Sequence, residues 1–202
     1  MRFVFGSSGM LAQQIENGAP YDLFLSADEA LVHGLAAHGR VQPASVTAYA
    51  TGRLGLWSAE QRLKSVEELS DARFRIIAIA NPRHAPYGAA AQALLTSLGL
   101  WTGLQPRLVL AENVRQAYEF AATGNADAAL ASWTLLHDKP GALQLSASLH
   151  PPIRQSGAIV TSTARAAEAR AFLAFLIAPS GQAILQAGGL YPPGMAPASP
   201  GH

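Results

Sequence analysis

Residues 3–28 read FVFGSSGMLAQQIENGAPYDLFLSAD, and this stretch carries a strand–helix–strand pattern. Phe3-Val4-Phe5 is a short apolar run that predicts a buried strand, and the polar loop after it leads into a helix over residues 10–16. Gly18 lies near the C-terminal cap of that helix, and residues 22–25 predict a second strand. Two strands separated by a helix are typical of a βαβ unit.

The same alternation continues along the chain. Further strands are predicted over residues 48–58, 75–79, 107–110, 128–131 and 153–161. Further helices are predicted after Asp28 as a cap, near residues 66–69, and over residues 88–98, 114–122 and 164–177. The sequence therefore predicts an α/β fold with mostly parallel sheets flanked by helices.

Composition excludes several classes of protein. Of 202 residues, 50% are hydrophobic and 13% are charged, against about 25% charged in an average globular protein. This composition excludes a disordered chain, and a net charge of +1 with scattered basic residues disfavours nucleic-acid binding. The absence of cysteine excludes disulfides, thiolate metal sites and a cysteine nucleophile.

Targeting segments are not predicted either. No stretch approaches the roughly 18 apolar residues of a membrane span. The apolar run before Gly6 is shorter than the core of a signal peptide, which takes about 7–15 residues, so no export signal is expected in this sequence.

Catalytic motifs are missing as well. The Gly6-Ser7-Ser8-Gly9 loop does not match a nucleophile elbow, because position 10 is Met where that motif needs a second glycine in register. There is no phosphate-binding loop and no dinucleotide fingerprint. The six histidines show no metal-ligand spacing, so no metal site is expected.

Polar residues do recur where predicted strands run into helices. At such junctions the first backbone N–H groups are unpaired and the helix dipole is positive, so an anion can be held without Lys or Arg. The candidate junctions are Ser7-Ser8, Tyr87-Gly88 and Asn113-Val114.

A second interpretation of these junctions stays open. Ser8 and Asn113 are also preferred N-cap residues, and a cap needs no ligand. Tyr87 is of a type that commonly packs as a half-buried aromatic. The residues alone therefore indicate an α/β protein with a candidate oxyanion site.

Four blocks of the sequence together resemble a known family. Residues 5–28 resemble the signature of the periplasmic molybdate-binding proteins of ABC transporters. Three later blocks agree in order and spacing: Asn81-Pro82-Arg83-His84-Ala85-Pro86-Tyr87-Gly88, Glu112-Asn113-Val114-Arg115-Gln116-Ala117 and Pro152-Ile153-Arg154-Gln155. The resemblance covers residues 3 to about 190.

The resemblance implies a two-lobed architecture, that of the type II periplasmic binding proteins. The first lobe is expected to comprise residues 1–47 and 160–190, and the second residues 48–159. Residues 191–202, rich in Pro, Gly, Ala and Ser, are expected to form a disordered tail.

The resemblance also implies a ligand and its contacts. Molybdate or tungstate, which the sequence does not distinguish, is expected to be hydrogen-bonded and not directly coordinated. From the first lobe, Ser8 is expected to donate through its hydroxyl and amide, beside Ser7. From the second lobe, Tyr87 and the Val114 amide, beside Asn113, are expected to donate. A tyrosine that binds in some relatives is matched here by Ser132. No cofactor and no catalytic activity are expected.

The implied partners are the oxyanion and the membrane permease of an ABC importer, with the protein periplasmic, monomeric and without nucleic acid. Relatives begin with an export signal and a further strand, loop and helix, so this sequence is expected to be truncated by about 30 residues, the size of one βα unit. Three alternatives stay open: a cytoplasmic effector-sensing domain of a bacterial regulator, a non-binding fragment, and an enzyme whose reaction needs no acid–base pair.

Overall fold

The computed structural model describes residues 2–60 and 62–194. The α-helices are α1 (Ser8–Glu16), α2 (Glu29–Ala37), α3 (Pro86–Ser97), α4 (Trp101–Leu104), α5 (Val114–Ala122), α6 (Trp133–Leu136), α7 (Ala166–Ile177) and α8 (Pro179–Ala187). The strands are β1 (Leu23–Ser26), β2 (Thr47–Gly52), β3 (Leu54–Trp57), β4 (Ile77–Ala80), β5 (Leu108–Ala111), β6 (Ala128–Ser132), β7 (Leu143–Gln144) and β8 (Ile153–Ile159).

The chain divides into two compact units. Of the described residues, the first unit comprises 2–52 and 153–194, and the second comprises those between 53 and 152. The first unit contains a three-stranded sheet in the order β1-β8-β2, in which β8 is antiparallel to both neighbours. β1 and β2 therefore run parallel to each other, with β8 inserted between them.

Helices cover both faces of the first sheet. Phe24 and Ala158 pack on one face with α1 and α2, through residues such as Ile15 and Val32. Their chain neighbours point to the other face because side chains alternate along a strand. There Ile159 packs with residues of α7.

The second unit contains a five-stranded mixed sheet in the order β5-β4-β6-β3-β7. β4 lies parallel to both β5 and β6, while β3 is antiparallel to β6 and β7. Every residue of β3, β4 and β6 is buried, as expected for strands covered on both faces.

The α/β class is confirmed, but the sheets are not mostly parallel: every pair in the first sheet is antiparallel, and the second sheet is mixed. The physical reason in the first unit is that β8 returns from the second unit, so no βαβ crossover constrains its direction. The unit boundaries also lie elsewhere than predicted. Residues 48–52 and 153–159, expected in the second lobe, pair with each other in the first unit's sheet.

Phe3-Val4-Phe5 does not form the predicted buried strand. These side chains are 60%, 47% and 76% exposed, and residues 2–7 have no strand assignment. A strand needs a hydrogen-bonded neighbour. Residues 3–5 belong to neither of the described sheets, and β1, at the edge of its sheet, pairs with β8 alone among the described residues. The prediction of a buried strand here is wrong for that reason.

The remaining differences are local. The helix predicted near residues 66–69 is a 3-10 turn over Glu67–Ser70, and α8 was not predicted. Tyr191 forms a bridge with Thr51, so the predicted disordered tail does not begin there. Residues 195–202 of that tail lie outside the described residues.

Candidate functional site

In the second unit, three parallel strands bring helix N-termini to one edge of the sheet. Ala80 at the end of β4 is in register with Ala111 at the end of β5, and Ile79 is in register with Leu130 of β6. α3 and α5 begin within a few residues of these strand ends. Two helix N-termini, with positive dipole ends, therefore follow neighbouring strands at the same edge.

The junction before α3 is built by local hydrogen bonds. The backbone N–H of Asn81 donates to Ala111 O at 2.8 Å, and the side-chain oxygen of Asn81 accepts from Arg83 N at 3.0 Å. Its carbonyl accepts from Ala85 N at 3.0 Å. This turn fixes where the helix starts and links the end of β4 to the end of β5.

Tyr87 lies in the first turn of α3 and is 6% exposed. The first intrahelical bond runs from Ala89 N to Ala85 O, and Pro86 has no N–H, so the Tyr87 and Gly88 amides precede it. A Cβ at Gly88 would lie 2.2 Å from Ala80 O, so only glycine lets the helix approach the strand end this closely. The Tyr-Gly pair therefore places the tyrosine at the sheet edge.

Asn113 is the N-cap of α5. Its side-chain oxygen accepts from Gln116 N at 3.0 Å, and the Gln116 side chain accepts in return from Glu112 N at 2.7 Å. This reciprocal pair resembles a capping box, so the capping interpretation of the Asn113 side chain is confirmed. The amides of Val114 and Arg115 precede the first intrahelical bond, from Ala117 N to Asn113 O.

In the first unit, Ser7 and Ser8 are both buried at the start of α1. Ser7 is the N-cap in an extended conformation, and its side chain makes no cap hydrogen bond. The Ser8 hydroxyl accepts from Ala27 N at 3.0 Å. A hydroxyl has one donor proton, so accepting from Ala27 leaves that proton available for another acceptor.

The loop after β1 supports Ser8. Ser26, which is buried, donates to Asp28 O at 2.8 Å and accepts from Asp28 N at 3.0 Å. These bonds close the turn that presents Ala27 N to Ser8. Sequence reasoning did not assign Ser26 a role, although a serine at the end of a predicted strand was the available signal.

The structure brings together the two junctions of the second unit, Tyr87-Gly88 and Asn113-Val114, through the register of β4 and β5. Ser7 and Ser8 belong to the first unit. Ser132, matched to a ligand tyrosine of some relatives, caps α6 by accepting from Thr134 N at 3.3 Å.

Arg53 is a buried cation that sequence reasoning missed. It is 7% exposed and directly precedes β3, where Leu54 is in register with Ser132. Its carbonyl accepts from Trp133 N at 2.8 Å. Arg53 therefore lies beside the C-terminal end of β6. The only sign of this in the sequence was a charged residue between two apolar strands.

Other site chemistries find no support in the described residues. Within residues 2–60 and 62–194, no group of three or more His, Cys, Asp or Glu could hold a metal ion. No helix in this part of the chain is long and apolar enough to cross a membrane. The junction residues offer hydroxyls and helix-start amides, which are donors suited to an oxyanion.

The chain belongs to the family of bacterial extracellular solute-binding proteins, whose model matches residues 1–191. Among its relatives, the molybdate-binding protein ModA of Rhodobacter capsulatus is 37% identical over 187 residues, which are 91% of this chain and 74% of the relative. The molybdate-binding protein ModA of Azotobacter vinelandii is 35% identical over 193 residues, or 92% of this chain and 76% of the relative.

Solved structures agree with this membership. The periplasmic molybdate-binding protein of Azotobacter vinelandii superimposes with a TM-score of 0.88 at 38% identity, covering 93% of this chain and 85% of that one. The sulfate-binding protein SubI of Mycobacterium tuberculosis superimposes with a TM-score of 0.73 at 12% identity, covering 92% and 74%, which shows a shared fold alone. The predicted family and its periplasmic-binding-protein architecture are thereby confirmed.

Proposed function

We propose that this protein binds molybdate or tungstate and delivers it to an ABC importer. The observation that carries the proposal is the 35–38% identity to molybdate-binding proteins over more than nine-tenths of the chain. The protein acts as a periplasmic, monomeric solute-binding component, with the transporter's membrane permease as its partner and without catalysis.

The donor chemistry supports a tetrahedral oxyanion as ligand. A deprotonated oxyanion only accepts hydrogen bonds, so its site needs donors and no nearby carboxylate. Ser8 contributes its hydroxyl proton, since the hydroxyl oxygen already accepts from Ala27 N. Tyr87 and the Val114 amide contribute from the helix starts of the second unit, with Ser7 and Asn113 shaping the two turns.

Selectivity follows from fixed geometry. Buried donors that lose water must find an acceptor, and an anion of the wrong size leaves some of them unpaired at a cost of about 1–3 kcal/mol each. The bonds within the turns at Ser26 and Asn81 hold the neighbouring donors in place before any ligand arrives. Arg53 adds positive potential at the edge where β6 ends.

Isothermal titration with molybdate, tungstate, sulfate and phosphate tests the proposal. We expect molybdate and tungstate to bind more tightly than sulfate and phosphate. No heat from molybdate or tungstate, with a chain shown to be folded by circular dichroism, would contradict it.

Variants that each lack one hydroxyl group test the assigned donors. Ser8→Ala and Tyr87→Phe each remove one donor to a charged ligand, worth about 1.5–3 kcal/mol, so each is expected to weaken molybdate binding by about 10- to 100-fold. The matched control is Tyr21→Phe, which removes a tyrosine hydroxyl bonded to Gln14 at 2.6 Å on the first unit's surface and leaves binding unchanged. Equal affinities for Tyr87→Phe and Tyr21→Phe would remove Tyr87 from the site.

A variant at Asn113 distinguishes the loss of a helix cap from the effect of a negative charge on ligand binding. Asn113→Asp keeps a good N-cap, so the fold is retained, but it places a carboxylate beside the Val114 amide. We expect it to weaken oxyanion binding at least about tenfold through like-charge repulsion. Wild-type affinity in Asn113→Asp would place the ligand elsewhere.

A further inference from the structure

A buried histidine outside the candidate donor set lies next to one connection between the two units. His150 is 7% exposed and follows a 3-10 turn over Ala147–Leu149. Two residues later the chain leaves the second unit at Pro152 and enters β8. The family resemblance assigns this side chain no role.

The hydrogen bonding of His150 defines its tautomer. Its Nδ1 lies 2.7 Å from the carbonyl oxygen of Pro151. A carbonyl only accepts, so Nδ1 carries the proton and the lone pair of the neutral ring is on Nε2. Among the described residues, Nε2 is buried without a hydrogen-bond partner. A buried acceptor left in this state costs free energy and calls for an explanation.

Arg53 is the charged group that acts on this imidazole. It is the first residue of the second unit, directly after β2 ends at Gly52, and it is buried. Its positive charge lies near enough to disfavour a proton on His150. The chain enters the second unit at Arg53 and leaves it two residues after His150, so one of these two buried groups lies at or near each of the two chain connections.

The segment that carries His150 is tied to a helix of the candidate site. The Ser97 hydroxyl, at the end of α3, lies 2.8 Å from Leu94 O in the same helix and 3.1 Å from Leu149 O, so its one proton is shared between the helix and this segment. α3 is the helix whose first turn contains Tyr87. A displacement of residues 149–151 would therefore act on the last turn of the helix whose first turn contains a proposed ligand donor.

We propose that His150 is a proton-operated latch of the second unit: the buried imidazole holds Pro151 through Nδ1–H, and a proton on Nε2, which faces no acceptor among the described residues, drives the ring out of its buried position, loosens this segment and weakens oxyanion binding in acid. The part that concerns the oxyanion rests on the proposed function. The part that concerns the stability of the chain does not.

Protonation is unfavourable here for two reasons. It creates a second N–H donor where Nε2 faces no acceptor, and it places a positive charge near that of Arg53. Burial is the largest influence and lowers the pKa of His150 below its ordinary value of 6.5; the bond to Pro151 comes next and opposes it, and Arg53 lowers the pKa by the smallest amount. His150 is therefore neutral at pH 7.

The sign of the pH dependence follows from this lowered pKa. Below about pH 6.5 the unfolded chain binds a proton that the folded chain does not, so stability falls as the pH falls. The contribution of His150 is complete above that pH and is lost as the pH drops to the folded-state pKa. One proton changes the unfolding equilibrium by at most about tenfold per pH unit.

Urea unfolding of the ligand-free chain between pH 4.5 and 8 tests the latch. The variant is His150→Asn, whose amide nitrogen can still donate to Pro151 but does not titrate. The control is His33→Asn, which removes an exposed histidine. We expect the fall in stability below pH 6.5 to be shallower in His150→Asn by up to about tenfold per unit in the unfolding constant, and unaltered in His33→Asn.

A second measurement needs no variant. Nitrogen chemical shifts of the wild-type imidazole are expected to show the Nδ1–H tautomer of His150 at pH 7 and a midpoint below 6.5. A midpoint at or above 6.5, or parallel stability profiles for wild type and His150→Asn, would overturn the latch.

Binding is tested by titrating molybdate at pH 7.5 and at a pH below the measured midpoint of the His150 imidazole into wild type and His150→Asn. Protonation of the ligand affects both proteins equally, so the comparison isolates the protein. Wild type is expected to lose at least about threefold more affinity than the variant, and equal losses would overturn the link to binding. Absence of molybdate binding at either pH would instead contradict the proposed function and leave the stability experiment to decide the latch.

Discussion

The two units support their junction residues in different ways. In the second unit, α3 begins after β4, which is buried at every residue, and α5 begins after the neighbouring edge strand β5, which ends in the buried Ala111. In the first unit, Ser7 and Ser8 follow an exposed apolar segment, and β1 has one open edge. The second unit positions its donors on a packed scaffold, whereas the first depends on a few hydrogen bonds around Ala27.

The tryptophans allow the two units to be followed separately. All three, Trp57, Trp101 and Trp133, lie in the second unit, so their fluorescence reports on that unit alone. Far-UV circular dichroism reports on the helices of both units. Two units need not unfold in one transition, so the two probes can give different midpoints.

The largest effect is expected at glycines with close backbone neighbours. In Gly88→Ala the new Cβ would lie 2.2 Å from Ala80 O, and because the backbone fixes the position of a Cβ, no rotamer relieves its contact with this backbone oxygen. We expect a loss of more than about 4 kcal/mol or failure of the second unit to fold, observed by tryptophan fluorescence in urea. In the first unit, Gly157→Ala would meet the Leu25 Cδ2 atom at 2.5 Å, a side-chain end that can move, at a cost of about 1–3 kcal/mol.

Gly34→Ala is the control for this comparison. Nothing lies within 4 Å of a Cβ at Gly34 in α2, so we expect a gain of about 0.5–1 kcal/mol from helix propensity. A loss at Gly88 no larger than that at Gly157 would show that α3 is not held tightly against β4.

The next effect contrasts a buried and an exposed phenylalanine. Phe74 in the second unit is fully buried, so Phe74→Ala is expected to cost about 3–5 kcal/mol, with a shift in the tryptophan transition. Phe5 in the first unit is exposed, so Phe5→Ala is expected to change stability by less than about 0.5 kcal/mol. A cost above about 2 kcal/mol for Phe5→Ala would mean that residues 3–5 are packed in solution.

Local signals explain which elements the sequence predicted. The helix over residues 114–122 was predicted with its observed bounds, because a cap residue and helical periodicity both lie within the segment. The cap at Asp28 was predicted for the same reason, and its side chain accepts from Ala30 N. The junctions at Ser8 and Tyr87 are likewise observed at helix starts.

Features that depend on distant residues were not predictable. A strand at Phe3-Val4-Phe5 needs a pairing partner, which an apolar run does not reveal. The placement of β8 between β1 and β2 joins segments more than a hundred residues apart. The burial of Arg53 and His150 depends on tertiary packing, and single polar residues in the sequence carry no sign of it.

The smallest effect compares matching caps in the two units. Asn113 accepts from Gln116 N at 3.0 Å in the second unit, and Asp28 accepts from Ala30 N at 2.9 Å in the first. Replacing either by Ala removes one acceptor from a helix N-terminus, so each is expected to cost about 1 kcal/mol. Asn113→Ala should shift the tryptophan transition and Asp28→Ala only the transition seen by circular dichroism. Asp28→Asn keeps the cap and serves as the control, with a change of a few tenths of a kcal/mol. If Asp28→Ala shifted the tryptophan transition equally, the two units would unfold as one, and the difference in support between them would not extend to their stability.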